Sequence, residues 1–253
     1  MVYFPLKAAA VLSVLTISLI ACDDEKPQAV APATTASAAP TATVEAPKKM
    51  PEVTLGASAV TVGFDEMLLT APSFDQSFQS LLKKYPVSEP EHVVLTIDRK
   101  VKTPVASKIF YALADAGAKS IEVHTKPRGE FPDTLLLLPE KAVGDNIPAC
   151  TYVGMVLSNL GAAYWKKQGG LAKRLAKGMA GPDFSAMHVL MHKEAKSCNS
   201  KVFLFSSSPD VDWGHCFDIA GSVKSADPPY EYIDKFVLLR TDPVAGKPVK
   251  LNP

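Results

Sequence analysis

The chain has almost no net charge: 27 lysines and arginines stand against 26 aspartates and glutamates, a formal +1. Nucleic-acid binding needs a concentrated basic footprint, so a balanced chain implies no nucleic-acid partner. Beyond the N-terminus no apolar run approaches the ~20 residues of a membrane-spanning helix. The motifs of common enzyme chemistries are missing too. There is no G-x-S-x-G elbow, and Ser206-Ser207-Ser208 lacks flanking glycines. No P-loop, Gly-rich dinucleotide fingerprint or HExxH occurs. The expectation is a non-enzymatic protein without a cofactor.

Proline, by contrast, is plentiful, with 21 residues, many of them close to the N-terminus. Residues 1–21 carry one positive charge, Lys7, then an apolar run from Ala8 to Ala21 of the length of a secretory signal. Leu19-Ile20-Ala21-Cys22 resembles the lipobox of bacterial lipoproteins. The resemblance implies cleavage before Cys22, lipidation of that cysteine and anchoring at the periplasmic face of a membrane by several acyl chains. Without Lys7 the remainder carries 26 charges of each sign. Asp23 and Asp24 resemble an inner-membrane retention signal. Residues 22–55 are rich in Ala, Pro and Thr and poor in large apolar side chains, so they cannot offset the entropy of ordering. They read as a disordered tether.

The folded part divides into residues 56–140 and 148–250. In the first, Ser58–Phe64 and Met67–Thr70 read as a strand hairpin. Ser73 with Gln76 has the form of a capping box, followed by Phe74, Phe78, Leu81, Leu82 and Tyr85 at helical spacing. Val93–Ile97 is continuously apolar, as in a strand buried on both faces. Thr103 as N-cap and Pro104 at the first helical position start a second helix, with Val105, Ile109, Leu113 and Ala116 as its stripe and Gly117 as its stop. Ile121–Thr125 and Leu135–Leu138 read as strands.

The second part echoes the first at a fixed offset of 110 residues. Pro72-Ser73-Phe74 matches Pro182-Asp183-Phe184, Val101 matches Val211, and Ile109 matches Ile219. Val202–Phe205 repeats the apolar strand, and Cys216, Ile219, Ala220 and Val223 form the second stripe. Leu171–Gly181 has no counterpart and reads as a solvated helix, or alternatively as a basic patch of Lys173, Arg174 and Lys177. The expected fold is α+β: two two-layer sandwich units of order β-β-α-β-α-β, with helices on small mixed sheets.

Asp98-x-x-Val101 between strand and helix, with Ala116-Gly117 leading into the next strand, resembles the periplasmic domain of ExbD and TolR proteins. The aromatic-glycine pair of that pattern is Thr103-Pro104 in the first copy and Trp213-Gly214 in the second, where Ser208 replaces the aspartate. The resemblance implies an envelope protein that binds or regulates a proton-driven complex, or one that binds peptidoglycan. Asp98, Arg99, Lys100, Trp213 and His215 are its candidate binding residues, with Lys173, Arg174 and Lys177 beside them.

Three cysteines remain after Cys22, and an oxidising compartment favours one disulfide. Cys216 lies on an apolar stripe, so elimination pairs Cys150 with Cys198 and leaves Cys216 a free thiol. His188 and His192 share a helix face at a spacing able to bind metal, with His215 as a third candidate. That reading implies a metal-dependent envelope enzyme; the competing one places both histidines at the border between the two units.

Overall fold

The structure, a computed structural model, describes residues 50–87, 92–129, 131–144, 146–179, 181–195, 197–226 and 233–252. The chain separates into two units, Met1–Val44 and Glu45–Pro253, and every described residue belongs to the second. The expected signal segment 1–21, Cys22, Asp23 and Asp24, and most of the expected tether lie outside the described residues.

The fold is α+β, with four α-helices and one large mixed sheet. The first half runs β1 (Val53–Leu55), β2 (Ala59–Val62), β3 (Asp65–Leu68), α1 (Phe74–Lys84), β4 (Val93–Ile97), α2 (Thr103–Asp115), β5 (Ile121–His124) and β6 (Thr134–Leu138). The second runs β7 (Tyr152–Val156), β8 (Ala162–Lys166), β9 (Lys173–Leu175), a small hairpin β10 (Lys177–Gly178) and β11 (Gly181–Pro182), then α3 (Phe184–Ala195), β12 (Val202–Ser207), α4 (Trp213–Lys224) and β13 (Lys235–Leu238).

Two separate sheets were expected, and one forms. Its eleven strands run β3-β2-β1-β4-β5-β6-β13-β12-β7-β8-β9. The two flanks have the same internal order, β3-β2-β1-β4-β5 and β9-β8-β7-β12-β13, with the same senses of pairing. Strand β6 joins them, antiparallel to β5 and parallel to β13. Parallel neighbours require a crossover, and α2 and α4 supply equivalent ones between β4 and β5 and between β12 and β13.

One face of the sheet carries all four helices. Phe78 and Leu82 of α1, Ile109 and Leu113 of α2, Met187 and Met191 of α3, and Cys216, Ile219, Ala220 and Val223 of α4 share one buried core with alternate strand residues. Side chains of opposite parity point to the other face, where the two halves differ. In the second half Val153, Met155, Trp165, Leu204 and Val237 form a smaller core closed by Leu251, with Ala245 and Val249 packed on it. Buried Glu140 holds that C-terminal segment by accepting the N–H groups of Arg240 (2.7 Å) and Asn252 (2.6 Å), and the Trp165 indole donates to the Lys247 carbonyl (3.0 Å). In the first half the same face is polar: Thr96 donates to Glu52 (2.7 Å) and His124 meets Glu122 (2.7 Å).

The outer face accounts for several departures from the sequence reading. Val94 and Thr96 of β4 are only partly covered, so this strand is not buried on both faces; β12 is, because the C-terminal segment lies over it. Residues 53–55, expected in the tether, form β1 and pair with both β2 and β4. The expected solvated helix at 171–181 is instead β9, which holds the edge place that β3 holds in the first half, followed by the hairpin. Ser73 precedes α1 as expected but makes no side-chain cap bond. Gly117 takes φ of +120°, the left-handed region that ends a helix without a Cβ penalty.

Cys150 and Cys198 are disulfide-bonded, and Cys216 is a buried free thiol. The bridge ties the entry to β7 to the segment after α3, closing a loop of 48 residues. Replacing both cysteines by serine should lower the unfolding free energy by about 4 kcal/mol, from the loop-closure entropy returned to the unfolded chain. Urea denaturation of variant and parent measures it, and equal midpoints would show that the sheet alone holds this loop closed.

Candidate functional site

The two β–α loops that follow β4 and β12 meet head to head. The Thr103 N–H donates to the Val211 carbonyl (3.0 Å), and the Trp213 N–H donates to the Val101 carbonyl (2.7 Å). Val101 and Val211, like Thr103 and Trp213, stand 110 residues apart, so the contact is self-complementary in the manner of a two-fold interface. Lys102 and Asp212 form an isolated antiparallel bridge at its centre, reinforced by Lys102 Nζ to Asp212 Oδ1 at 2.6 Å. The Thr103 hydroxyl also donates to the Val211 carbonyl (2.9 Å), and Lys102, extended and accepting the first helical N–H groups, takes the N-cap of α2 expected for Thr103.

Arg99 crosses this junction. Its guanidinium forms a bidentate pair with Asp218 (Nη1–Oδ1 2.9 Å, Nη2–Oδ2 2.6 Å) and also donates to the Lys126 carbonyl (2.6 Å). Asp218 is fully buried, whereas the Arg99 side chain keeps 23% of its surface exposed. The arginine lies flat on the first turn of α4, where a Cβ at Gly214 would come within 2.7 Å of Arg99 Cζ. Gly214 therefore makes room for Arg99, and its N–H donates to the Arg99 carbonyl (2.9 Å). The Asp98 turn of one half and the aromatic-glycine pair of the other thus build a single junction.

Beside the junction opens a groove of about 930 Å³ at the carboxyl ends of the parallel strands β1, β4 and β5. In open sheets with crossover helices such ends are the usual place for ligands. Lys100, Lys126 and Arg128 give its walls positive charge beside Arg99, with Asp98 and Asp133 as the acidic members. Thr54, Thr96 and His124 add hydrogen-bonding groups to it. Asp98 Oδ1 accepts the Lys100 N–H (2.7 Å), which fixes the turn that presents Arg99 and Lys100. Arg128 lies over the rings of Phe131 and Phe184 and donates to the Pro182 carbonyl (3.1 Å).

The sequence candidates divide on this geometry. Asp98, Arg99 and Lys100 line the groove; Trp213, His215, Lys173, Arg174 and Lys177 do not. Trp213 is buried with its indole donating to Thr125 Oγ1 (2.9 Å), a core anchor and not a surface for a partner. His215 packs against Gly181, and burial, then the nearby Arg99 and Arg128, push its pKa down against Asp218 and Asp212, which raise it. Lys173 pairs with Glu194, and Arg174 and Lys177 lie on β9 and β10. His188 meets Ser222 Oγ at 3.1 Å. Among the described residues no group of three or more His, Cys, Asp or Glu side chains is placed to hold a metal ion.

Sequence reasoning missed Lys126, Arg128 and Asp218. A carboxylate one turn beyond Gly214, among otherwise core positions, was the available signal for Asp218, because a buried charge requires a partner. Comparisons with protein-family models, with curated proteins and with solved structures find no match for this chain.

Asp218→Asn should destabilise the protein by about 3–5 kcal/mol, because it leaves the Arg99 charge at a desolvated junction without its counter-ion. Chemical unfolding measures it, and a loss under about 1 kcal/mol would place the pair among the weak surface bridges. Burial lowers the His188 pKa from 6.5 to about 4. The folded form then holds this ring neutral while the unfolded chain takes up a proton, so stability is full above pH 6.5 and falls as pH drops towards 4. The loss should reach about 3 kcal/mol at the acid end, and His188→Gln should flatten that part of the stability–pH curve.

Proposed function

We propose that this chain is a non-enzymatic envelope lipoprotein, tethered through Cys22 at the periplasmic face of a bacterial membrane. Its groove engages an acidic segment of a proton-driven complex of the ExbBD or TolQR kind. Asp23 and Asp24 favour the inner membrane. We read the two halves of the sheet as two copies of one β-β-α-β-α-β sandwich unit, the reading supported by their common strand order and by the reciprocal junction bonds.

The observation that carries this reading is the groove itself. Lys100, Lys126 and Arg128 stand around a floor of strand ends, and the bidentate hold of Asp218 on Arg99 keeps the rim in place. Charges fixed in this way select a complementary partner and speed its encounter more than they add affinity. The cleaved signal replaces the transmembrane helix of the proteins it resembles, so a role in such a complex comes through binding and not through proton passage.

The same cations give a second reading, in which the groove takes carboxylates of the peptidoglycan peptides. Crosslinking in intact cells, with identification of the captured protein, tests the first reading, and a pull-down on purified sacculi tests the second. Lys100→Glu with Lys126→Glu should cut capture of the partner by about tenfold without changing stability, since both side chains are exposed. Undiminished capture by this variant would sink the groove as the docking site. Retention on sacculi that the variant loses would move the assignment to the cell wall.

A further inference from the structure

A second cavity, of about 350 Å³, lies at the opposite flank of the sheet between β7, β8, β9 and the end of α3. Tyr152, Tyr164, Lys173 and Glu194 line it, with Gly169 and Gly170 at its lip. It shares no lining residue with the groove.

Tyr164 is 1% exposed, and its hydroxyl is enclosed with no hydrogen-bond partner among the described residues. A buried hydroxyl left unmade is costly and calls for a reason. Burial first, and then Glu194, raise its pKa to about 12, so it stays a neutral donor at neutral pH. Beside it Lys173 Nζ pairs with Glu194, with side chains 36% and 33% exposed. A pair this exposed is weak and easily exchanged for other partners.

The two tyrosine rings pack edge-on against each other, 6.2 Å between centroids, inside the core. Both tyrosines are buried in that core, so neither offers an exposed ring face as a stacking platform for a sugar. What remains in the lining is a cation and a carboxylate paired with each other, Lys173 and Glu194, together with the Tyr164 hydroxyl.

We propose that this cavity binds a small zwitterion, with its carboxylate on Lys173 and the Tyr164 hydroxyl and its ammonium on Glu194. The ligand exchanges the Lys173–Glu194 pair for two charge-assisted contacts and supplies the acceptor that Tyr164 lacks. A volume near 350 Å³ is at the small end of ligand sites and suits a free amino acid.

Calorimetric titration of the full chain with a panel of free L- and D-amino acids tests this, with alaninamide, N-acetylalanine and glucose as controls. Saturable heat is expected for at least one amino acid, and binding of the two blocked derivatives about tenfold weaker or more, the worth of one lost charged contact. Tyr164→Phe should weaken binding by about tenfold and leave the unfolding midpoint unchanged or higher, because it removes a hydroxyl without a partner. Glu194→Gln should abolish recognition of the ammonium. No saturable heat with any amino acid, equal binding of a blocked derivative or of glucose, or a Tyr164→Phe variant that binds as the parent does would each overturn the proposal.

Discussion

The Arg99–Asp218 pair is the interaction on which this architecture turns. A fully buried carboxylate is tolerated only when a fixed counter-charge repays its desolvation, and the bidentate guanidinium does so with two short bonds. Arg99 belongs to the loop after β4 and Asp218 to α4, so satisfying the charge joins the first half of the chain to the second. Gly214 exists in the shape the arginine requires, and the reciprocal backbone bonds of Val101, Thr103, Val211 and Trp213 fall into line around it. The groove's rim is the exposed side of this same junction.

The two flanks of the sheet share an order of strands but not a fate. In the second, apolar residues on the outer face require cover, and the C-terminal segment provides it, held by Glu140 and Trp165. In the first, Glu52, Thr96, Glu122 and His124 satisfy one another and leave the face open. The difference follows from residues of one strand parity, because alternate side chains go to opposite faces. It leaves the carboxyl ends of β1, β4 and β5 as an open groove in the first half, while in the second half chain runs across the outer face.

Local order was legible where the signal is local. The helices beginning near Phe74, Thr103, Phe184 and Trp213 follow from apolar periodicity, and Gly117 marks its stop through positive φ. The disulfide followed from one apolar stripe and the arithmetic of three cysteines. What escaped were short elements such as β1, inside the sheet, and β9, at its edge, too brief to show a period and made strands by their neighbours. Trp213 escaped in another way: its place in a family pattern suggested a surface role, and its burial against Thr125 makes it an anchor.

By itself the sequence determined the α+β class and the repeated strand and helix spacing, because each depends on neighbours along the chain. The tertiary structure alone decided that two expected sheets are one, that Arg99 answers Asp218 across 119 residues, and that Lys126 and Arg128 share a groove with Asp98 and Lys100. Those outcomes rest on hydrogen bonds and charges between distant segments, and a buried charge shows in a sequence while its partner does not.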